Sequence, residues 1–205
     1  MYRVITCNTN GIRAAQRKGF FEWLAAQDAD VVCIQETKAQ EHQLTDDAFR
    51  PKGYHCFYND AERKGYSGTA LYSKEEPSAI QTKVGWEPVD SEGRYLRADF
   101  DNHSVVSLYV PSGSSNEAAQ GRKDIFMEHF YPHLEALLEE DREFILCADW
   151  NTCYQNLDIK NWRTNQKNSG FLPHERDWLD RIYKNLGYVD VFRQMTEEPD
   201  LYTWW

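Results

Sequence analysis

Apolar residues gather along this chain in short runs, and several runs stop at a polar residue with chemistry to offer. Arg3-Val4-Ile5-Thr6-Cys7 reaches Asn8, and Val31-Val32-Cys33-Ile34 delivers Gln35, Glu36, Thr37 and Lys38. Ser104-Val105-Val106-Ser107-Leu108 reaches Tyr109, and Phe144-Ile145-Leu146-Cys147-Ala148 ends at Asp149, with Asn151 two residues on. Short runs rich in apolar and β-branched residues predict buried strands. After the first run, Asn10-Gly11 signals a turn, and Ala14 to Gln27 reads as one helix with Phe20, Phe21, Trp23 and Leu24 on its apolar face. Strand, helix and strand then form a βαβ unit closing at Glu36.

From Gly53 to Phe100 the pattern changes to short strands at Tyr54–Phe57, Gly68–Tyr72, Ala79–Thr82 and Tyr95–Phe100, which predicts antiparallel sheet. Gly65 and Gly68 flank Tyr66-Ser67 and read as turn glycines. Beyond the loop Val110 to Ser115, a helix is expected from about Glu117 to Glu140, with a kink at Pro132. His129 and His133, four apart on it, bracket that proline without a companion carboxylate motif and read as exposed histidines rather than metal ligands. Asn151 to Gly170 is long, polar and rich in amides, a length at which an ordered loop usually serves function. Pro173 starts another helix, with Trp178, Leu179, Ile182 and Leu186 apolar and Gly187 at its end. Tyr202-Thr203-Trp204-Trp205 predicts a final strand, and a chain stopping on two tryptophans predicts one domain over residues 1–205 with a C-terminal part missing.

Taken singly, the polar residues at the strand ends have ordinary explanations. Asn8 and Asn151 suit turns and caps, Glu36 suits solvent, and Tyr109 suits a half-buried ring with a satisfied hydroxyl. What changes the picture is their shared place, since α/β sheets bind ligands beyond the carboxyl ends of their strands. Two carboxylates and amides gathered there suit a hard cation and metal-assisted hydrolysis.

Composition narrows the class. With 205 residues, 41% hydrophobic and 14% aromatic, the chain can bury a sizeable core. No apolar run approaches the ~20 residues of a membrane span, and no apolar signal segment precedes the first strand, so a cytoplasmic protein with no membrane partner is expected. Five cysteines, at 7, 33, 56, 147 and 153, lack the paired spacing of a zinc site, and Cys7, Cys33 and Cys147 read as small core residues. A net charge of -10 argues against broad non-specific nucleic-acid binding, although a bound cation and a local patch such as Lys160, Arg163 and Lys167 can still draw a phosphate backbone.

Several segments together resemble exonuclease III and the abasic-site endonucleases of the endonuclease/exonuclease/phosphatase superfamily. They are Asn8-Thr9-Asn10-Gly11-Ile12-Arg13, Gln35-Glu36-Thr37-Lys38, Gly65-Tyr66-Ser67-Gly68, Tyr109-Val110-Pro111, Asp149-Trp150-Asn151, Gly170-Phe171-Leu172-Pro173 with Glu175-Arg176, and Val189-Asp190 with Phe192-Arg193. The resemblance implies a four-layer α/β/β/α sandwich. It implies a monomeric nuclease acting with Mg²⁺ or Mn²⁺ on double-stranded DNA, cutting 5′ to abasic sites and at 3′ ends. By motif, Glu36 would be the metal ligand with Asn8 beside it, Asp149 would orient or deprotonate the attacking water, and Asn151 would hold the phosphate. Tyr109 would offer its phenol to the phosphate oxygens, Asn165 and Asn168 would grip backbone phosphates, and Trp204 would line the pocket for the flipped-out abasic sugar.

Two departures accompany the resemblance. The family continues past the aromatic strand to a second acidic group and an Asp-His pair, so this chain by itself is expected to be inactive. Ser112 stands where relatives carry a longer amide. The sequence is also similar to the catabolite repression control protein, an RNA-associated regulator of this fold without catalytic groups. A superfamily phosphatase is the third reading. Glu36, Asp149 and Asn151 favour the nuclease over the regulator, and the Asn-rich loop with Trp204 favours it over the phosphatase.

Overall fold

The computed structural model describes residues 1–203, which fall into two compact units. The first comprises Met1–Tyr109 and Asp141–Asp149. It holds β1 (Val4–Asn8), α1 (Ile12–Arg17), α2 (Phe20–Gln27), β2 (Val31–Gln35), β3 (His55–Asn59), β4 (Thr69–Ser73), β5 (Ala79–Gln81), α3 (Glu87–Asp90), β6 (Tyr95–Asp99), β7 (His103–Tyr109) and β8 (Glu143–Asp149). The strands form two four-stranded sheets, ordered β1-β2-β4-β3 and β5-β6-β7-β8. β1 pairs parallel with β2 and β7 with β8, while the remaining pairs are antiparallel. Each run read as a strand up to Asp149 is one, its ends moved by a residue or two.

Side-chain alternation explains why Val31 to Ile34 reads as one unbroken apolar run. Val32 and Ile34, with Ala70 and Tyr72, face Ile12, Phe21, Leu24 and Phe49. Val31 and Cys33, with Leu71, face the other way onto Leu96, Ala98, Val105 and Cys147 of the second sheet. A strand covered on both faces has no need of polar alternation.

The single helix expected over 14–27 is instead two. Gly19 takes φ 83°, a left-handed conformation that glycine adopts at little cost, and it separates α1 from α2. The face of α2 also differs from expectation. Phe21 and Leu24, three apart, enter the core, whereas Trp23 is 47% exposed.

Gln35, at the end of β2, is 1% exposed and ties the two sheets together. Its Nε2 donates to Ser107 Oγ at 3.1 Å and to the Cys147 carbonyl at 3.2 Å. Its Oε1 accepts from Thr6 Oγ1 at 3.2 Å, and Ser107 Oγ donates to the Ile34 carbonyl at 3.1 Å. One side chain thereby engages β1, β7 and β8.

The second unit comprises Val110–Glu140 and the chain from Trp150 onward. It holds α4 (Glu117–Leu137), α5 (Trp162–Asn165), α6 (Pro173–Lys184) and α7 (Val191–Met195). Asn116 caps α4 by accepting from Ala119 N at 2.9 Å, and the helix runs through Pro132 and stops short of the expected Glu140. Trp178 Nε1 donates to the Met127 carbonyl at 2.9 Å and Tyr188 Oη to that of Leu134 at 2.8 Å, which fixes α6 and its following turn against α4. Leu186, expected on the apolar face of α6, lies beyond its end. The amide-rich loop contains a short 3₁₀ turn, Asn156–Asp158, as well as α5. Tyr202 and Thr203 belong to no strand, and Trp204 and Trp205 lie outside the described residues. Among the described residues no helix is long and apolar enough to cross a membrane.

Gln35→Leu leaves the Ser107 hydroxyl and the Cys147 carbonyl without their buried donor. Unfolding in urea should show a loss of about 1–3 kcal/mol, the usual cost of orphaned buried polar groups. A change within about 0.5 kcal/mol, typical of a surface substitution, would show that the bridge does not hold the sheets.

Candidate active site

The turn after β2 presents Glu36 in an unusual backbone conformation, φ 53°, and Lys38 follows at φ 47°. Non-glycine residues at positive φ persist where their surroundings over-determine them. Here both flanks do so. Gly11 N donates to the Glu36 carbonyl at 2.7 Å and Ile12 N to that of Thr37 at 2.9 Å. From the other side, Thr37 N donates to the Gly68 carbonyl at 3.1 Å and Lys38 N to that of Ser67 at 2.9 Å. A Cβ on Gly68, itself at φ 85°, would lie 2.3 Å from Thr37 Oγ1, so the turn glycine is also needed for close approach.

Four expected site residues meet in this unit. Tyr109 Oη donates to Glu36 Oε1, and Lys38 Nζ lies 2.6 Å from Glu36 Oε2. Asn8 Nδ2 donates to Asp149 Oδ2 at 2.7 Å, while Asn8 Oδ1 accepts from Asn10 N at 2.8 Å. The Asn8 amide also favours the ionised form of Glu36, which links the two pairs electrostatically. The polar groups of β1, β2, β7 and β8 thus share one end of the sheets.

Electrostatics differentiates the acids. Burial opposes ionisation of Glu36, but hydrogen bonds from Lys38, Tyr109 and Asn8 outweigh it and hold the carboxyl below its usual range. Tyr109 moves the opposite way. Burial first, then its bond to the Glu36 carboxylate, raises the phenol well above its ordinary value, so it stays a proton donor.

Two further residues emerge here that sequence reasoning left without a role. Lys38 places an ammonium on Glu36 and also donates to Asn10 Oδ1 at 2.6 Å. Arg94, 2% exposed, donates to the Tyr109 carbonyl at 3.0 Å and to Tyr66 Oη at 3.0 Å, and its guanidinium carbon lies 4.8 Å from the Tyr109 ring centroid. Its signal in the sequence was a charge directly before the strand Tyr95–Asp99, which itself carries Arg97 and Asp99.

The remaining expected residues belong to the second unit. Asn151, at φ 48°, donates from Nδ2 to the Val110 carbonyl at 2.8 Å. Asn168 Nδ2 donates to Asn165 Oδ1 at 2.8 Å, and Asn165 Nδ2 to the Lys160 carbonyl at 2.9 Å, so these two amides form one local cluster. Trp204 lies outside the described residues.

Among the described residues no group of three His, Cys, Asp or Glu side chains could hold a metal ion. The donor set still fits Mg²⁺, which is held by one or two carboxylates, retains several waters and takes further oxygens from a substrate phosphate. Glu36 is the central candidate. The Lys38 ammonium on Oε2 shows that this carboxylate already accommodates a cation.

Residues 5–204 match the model of the endonuclease/exonuclease/phosphatase family. The chain is similar to the exodeoxyribonuclease of Bacillus subtilis, 39% identical over 209 residues that cover 99% of this chain and 79% of that protein. It is similar to the DNA repair nuclease APEX1 of Danio rerio, 32% identical over 99% of this chain and 66% of that one. Among solved structures, an AP endonuclease from Archaeoglobus fulgidus superposes with a TM-score of 0.84 at 27% identity, covering 95% of this chain and 74% of the other.

The opposed shifts of Glu36 and Tyr109 give a pH signature in metal-free protein. Glu36, lowered on folding, adds stability that is complete above its unfolded value of about 4.3 and is lost as pH falls through the lower folded value. Tyr109, raised on folding, adds stability below its unfolded value of about 10, lost only as pH rises through the higher folded one. Phenolate absorbance at alkaline pH, compared between the wild-type chain and Tyr109→Phe in chelator, should show the Tyr109 contribution appearing late, above the bulk of the exposed tyrosines. Titration of that contribution at the ordinary tyrosine value would contradict the Glu36 bond.

Proposed function

We propose, from the premise that the chain belongs to the endonuclease/exonuclease/phosphatase family, that it is a DNA repair nuclease hydrolysing phosphodiester bonds 5′ to abasic sites and at 3′ ends with Mg²⁺ or Mn²⁺ bound. The observation that carries this reading is the pair of linked contacts at the strand ends, Tyr109 on Glu36 and Asn8 on Asp149. An RNA-associated regulator has no physical need of them. Identity to nucleases across 99% of the chain supports the nuclease over the phosphatase.

In the mechanism, Glu36 is the residue that would hold the cation, with Asn8 beside it. When bound, the cation supplies charge neutralisation and polarisation at the phosphate. Asp149, oriented by the Asn8 amide, aligns and deprotonates the attacking water. Tyr109 keeps its proton at neutral pH and, ordered by Arg94, turns its one hydrogen bond from Glu36 to the phosphate oxygens where negative charge builds. Asn151, two residues past Asp149 in the chain, donates to the same phosphate. Asn165 and Asn168 contact flanking phosphates, with Lys160, Arg163 and Lys167 in the same loop offsetting the net charge of -10.

The test is cleavage of a 5′-labelled duplex with one abasic site by the protein joined to the Asp-His segment that the family carries, because the 205-residue chain alone is expected to be inactive. Cutting should occur on the 5′ side, require Mg²⁺ or Mn²⁺ and stop in excess chelator. Asp149→Asn should lower kcat on the order of 10²–10⁴-fold, as expected for loss of a general base. Tyr109→Phe should cost about 10²-fold, as for loss of one oxyanion donor. Undiminished cleavage in chelator would overturn the metal chemistry. RNA binding without any cleavage would favour the regulator.

A further inference from the structure

Lys123 occupies the buried stripe of α4, among Ala119, Phe126, Met127 and Phe130, where a lysine is unexpected. Its side chain and that of Glu175 are both 0% exposed, and Nζ lies 2.7 Å from Glu175 Oε1. Burying an ammonium is costly unless it is paired and hydrogen-bonded. The second bond goes to backbone, from Nζ to the Asn151 carbonyl at 2.7 Å. Glu175 is equally occupied. Its Oε2 accepts from Gly170 N at 2.7 Å and Leu172 N at 2.9 Å, and its Oε1 accepts from Gln120 Nε2 at 3.1 Å.

These bonds join the two ends of the amide-rich loop. Lys123 holds its first residue, and Glu175 holds its last. Gly170 closes the ring by accepting from Cys153 N at 2.8 Å, and a Cβ there would sit 3.1 Å from the Asn151 carbonyl. Packing α4 against α6 does not require charge, since apolar residues often do as well or better in place of a buried ion pair. What an apolar pair cannot do is grip one carbonyl and two amides of the loop.

We propose that Lys123 and Glu175 are positioning residues for the hydrolysis, fixing the Asn151 backbone at its left-handed φ so that the side-chain amide is held for the scissile phosphate. This rests on the reading above in which Asn151 serves that phosphate. Neither residue touches substrate. Their effect is on how often Asn151 is correctly placed.

The experiment is a kinetic cycle on the abasic-site duplex with Mg²⁺, using the same protein with the Asp-His segment at a temperature where circular dichroism shows every variant folded. Lys123→Met keeps the length and removes the ammonium. It should lower kcat roughly 10–100-fold with KM within about threefold, the scale of a small misplacement of a reacting group. In an Asn151→Ala background the same change should cost less than about twofold, because contacting residues are non-additive. Lys123→Arg, which can still reach both partners, should restore most of kcat. Should Lys123→Met fold poorly, Lys123→Met with Glu175→Gln leaves no charge unpaired and should give the same pattern. Equal losses in both backgrounds would make the pair merely structural and overturn the proposal. Loss of kcat in Asn151→Ala but not in Lys123→Met would overturn it while leaving the role of Asn151 intact. A silent Asn151→Ala would overturn that role and the proposal with it.

Discussion

The geometry of the first unit depends on the buried amide of Gln35. Both of its N–H groups and its carbonyl oxygen are bound, to Ser107, Cys147 and Thr6, in a place where a misaligned strand would leave polar groups unpaired. The candidate site is a fixed step from each partner. Glu36 follows Gln35 directly, while Asn8, Tyr109 and Asp149 lie two residues past Thr6, Ser107 and Cys147 and so on the same faces of their strands. Aligning one layer of the strands aligns the next.

That constraint explains how a carboxylate-rich end of a sheet tolerates its charges. Glu36 ionises easily because Lys38, Tyr109 and Asn8 favour its charged form, and Asp149 accepts a hydrogen bond from the Asn8 amide. Arg94 lies behind the Tyr109 ring and holds its backbone, giving the phenol a cationic floor in a chain of net charge -10. The residues proposed to meet phosphate and those that orient them are distinct sets, and only the first set carries obvious chemistry in its names.

β2 was legible because burial on both faces leaves a mark that needs no partner information: Val31 to Ile34 is apolar whichever sheet covers it. β1 and β8 read as strands from their apolar runs although both are only partly buried. The break at Gly19 was not legible. A lone glycine in a helical pattern is compatible with either continuation or a left-handed stop, and the decision rests on Phe21 and Leu24 reaching the core. Trp23 was misplaced for the same reason, because the second helix starts on a new phase. Arg94 and Lys123 were missed for a different reason. A charge inside an apolar pattern predicts nothing until its partners are known, and Tyr66, Tyr109, Glu175 and Asn151 lie 15 to 52 residues away in sequence. The pairing of Glu36 with Tyr109, 73 residues apart, was expected only as a shared edge.

Gln35 thus sets the candidate site without belonging to it, and metal affinity reports on that role. Mn²⁺ binding can be measured by electron paramagnetic resonance on the wild-type chain and on folded Gln35→Leu, in which Glu36, Asn8 and Asp149 are all intact. Loss of a partner that orients ligands typically costs about 10–100-fold in affinity, and a weakening of that size is predicted. Unchanged Mn²⁺ affinity in the folded variant would show that the Gln35 amide does not position the site.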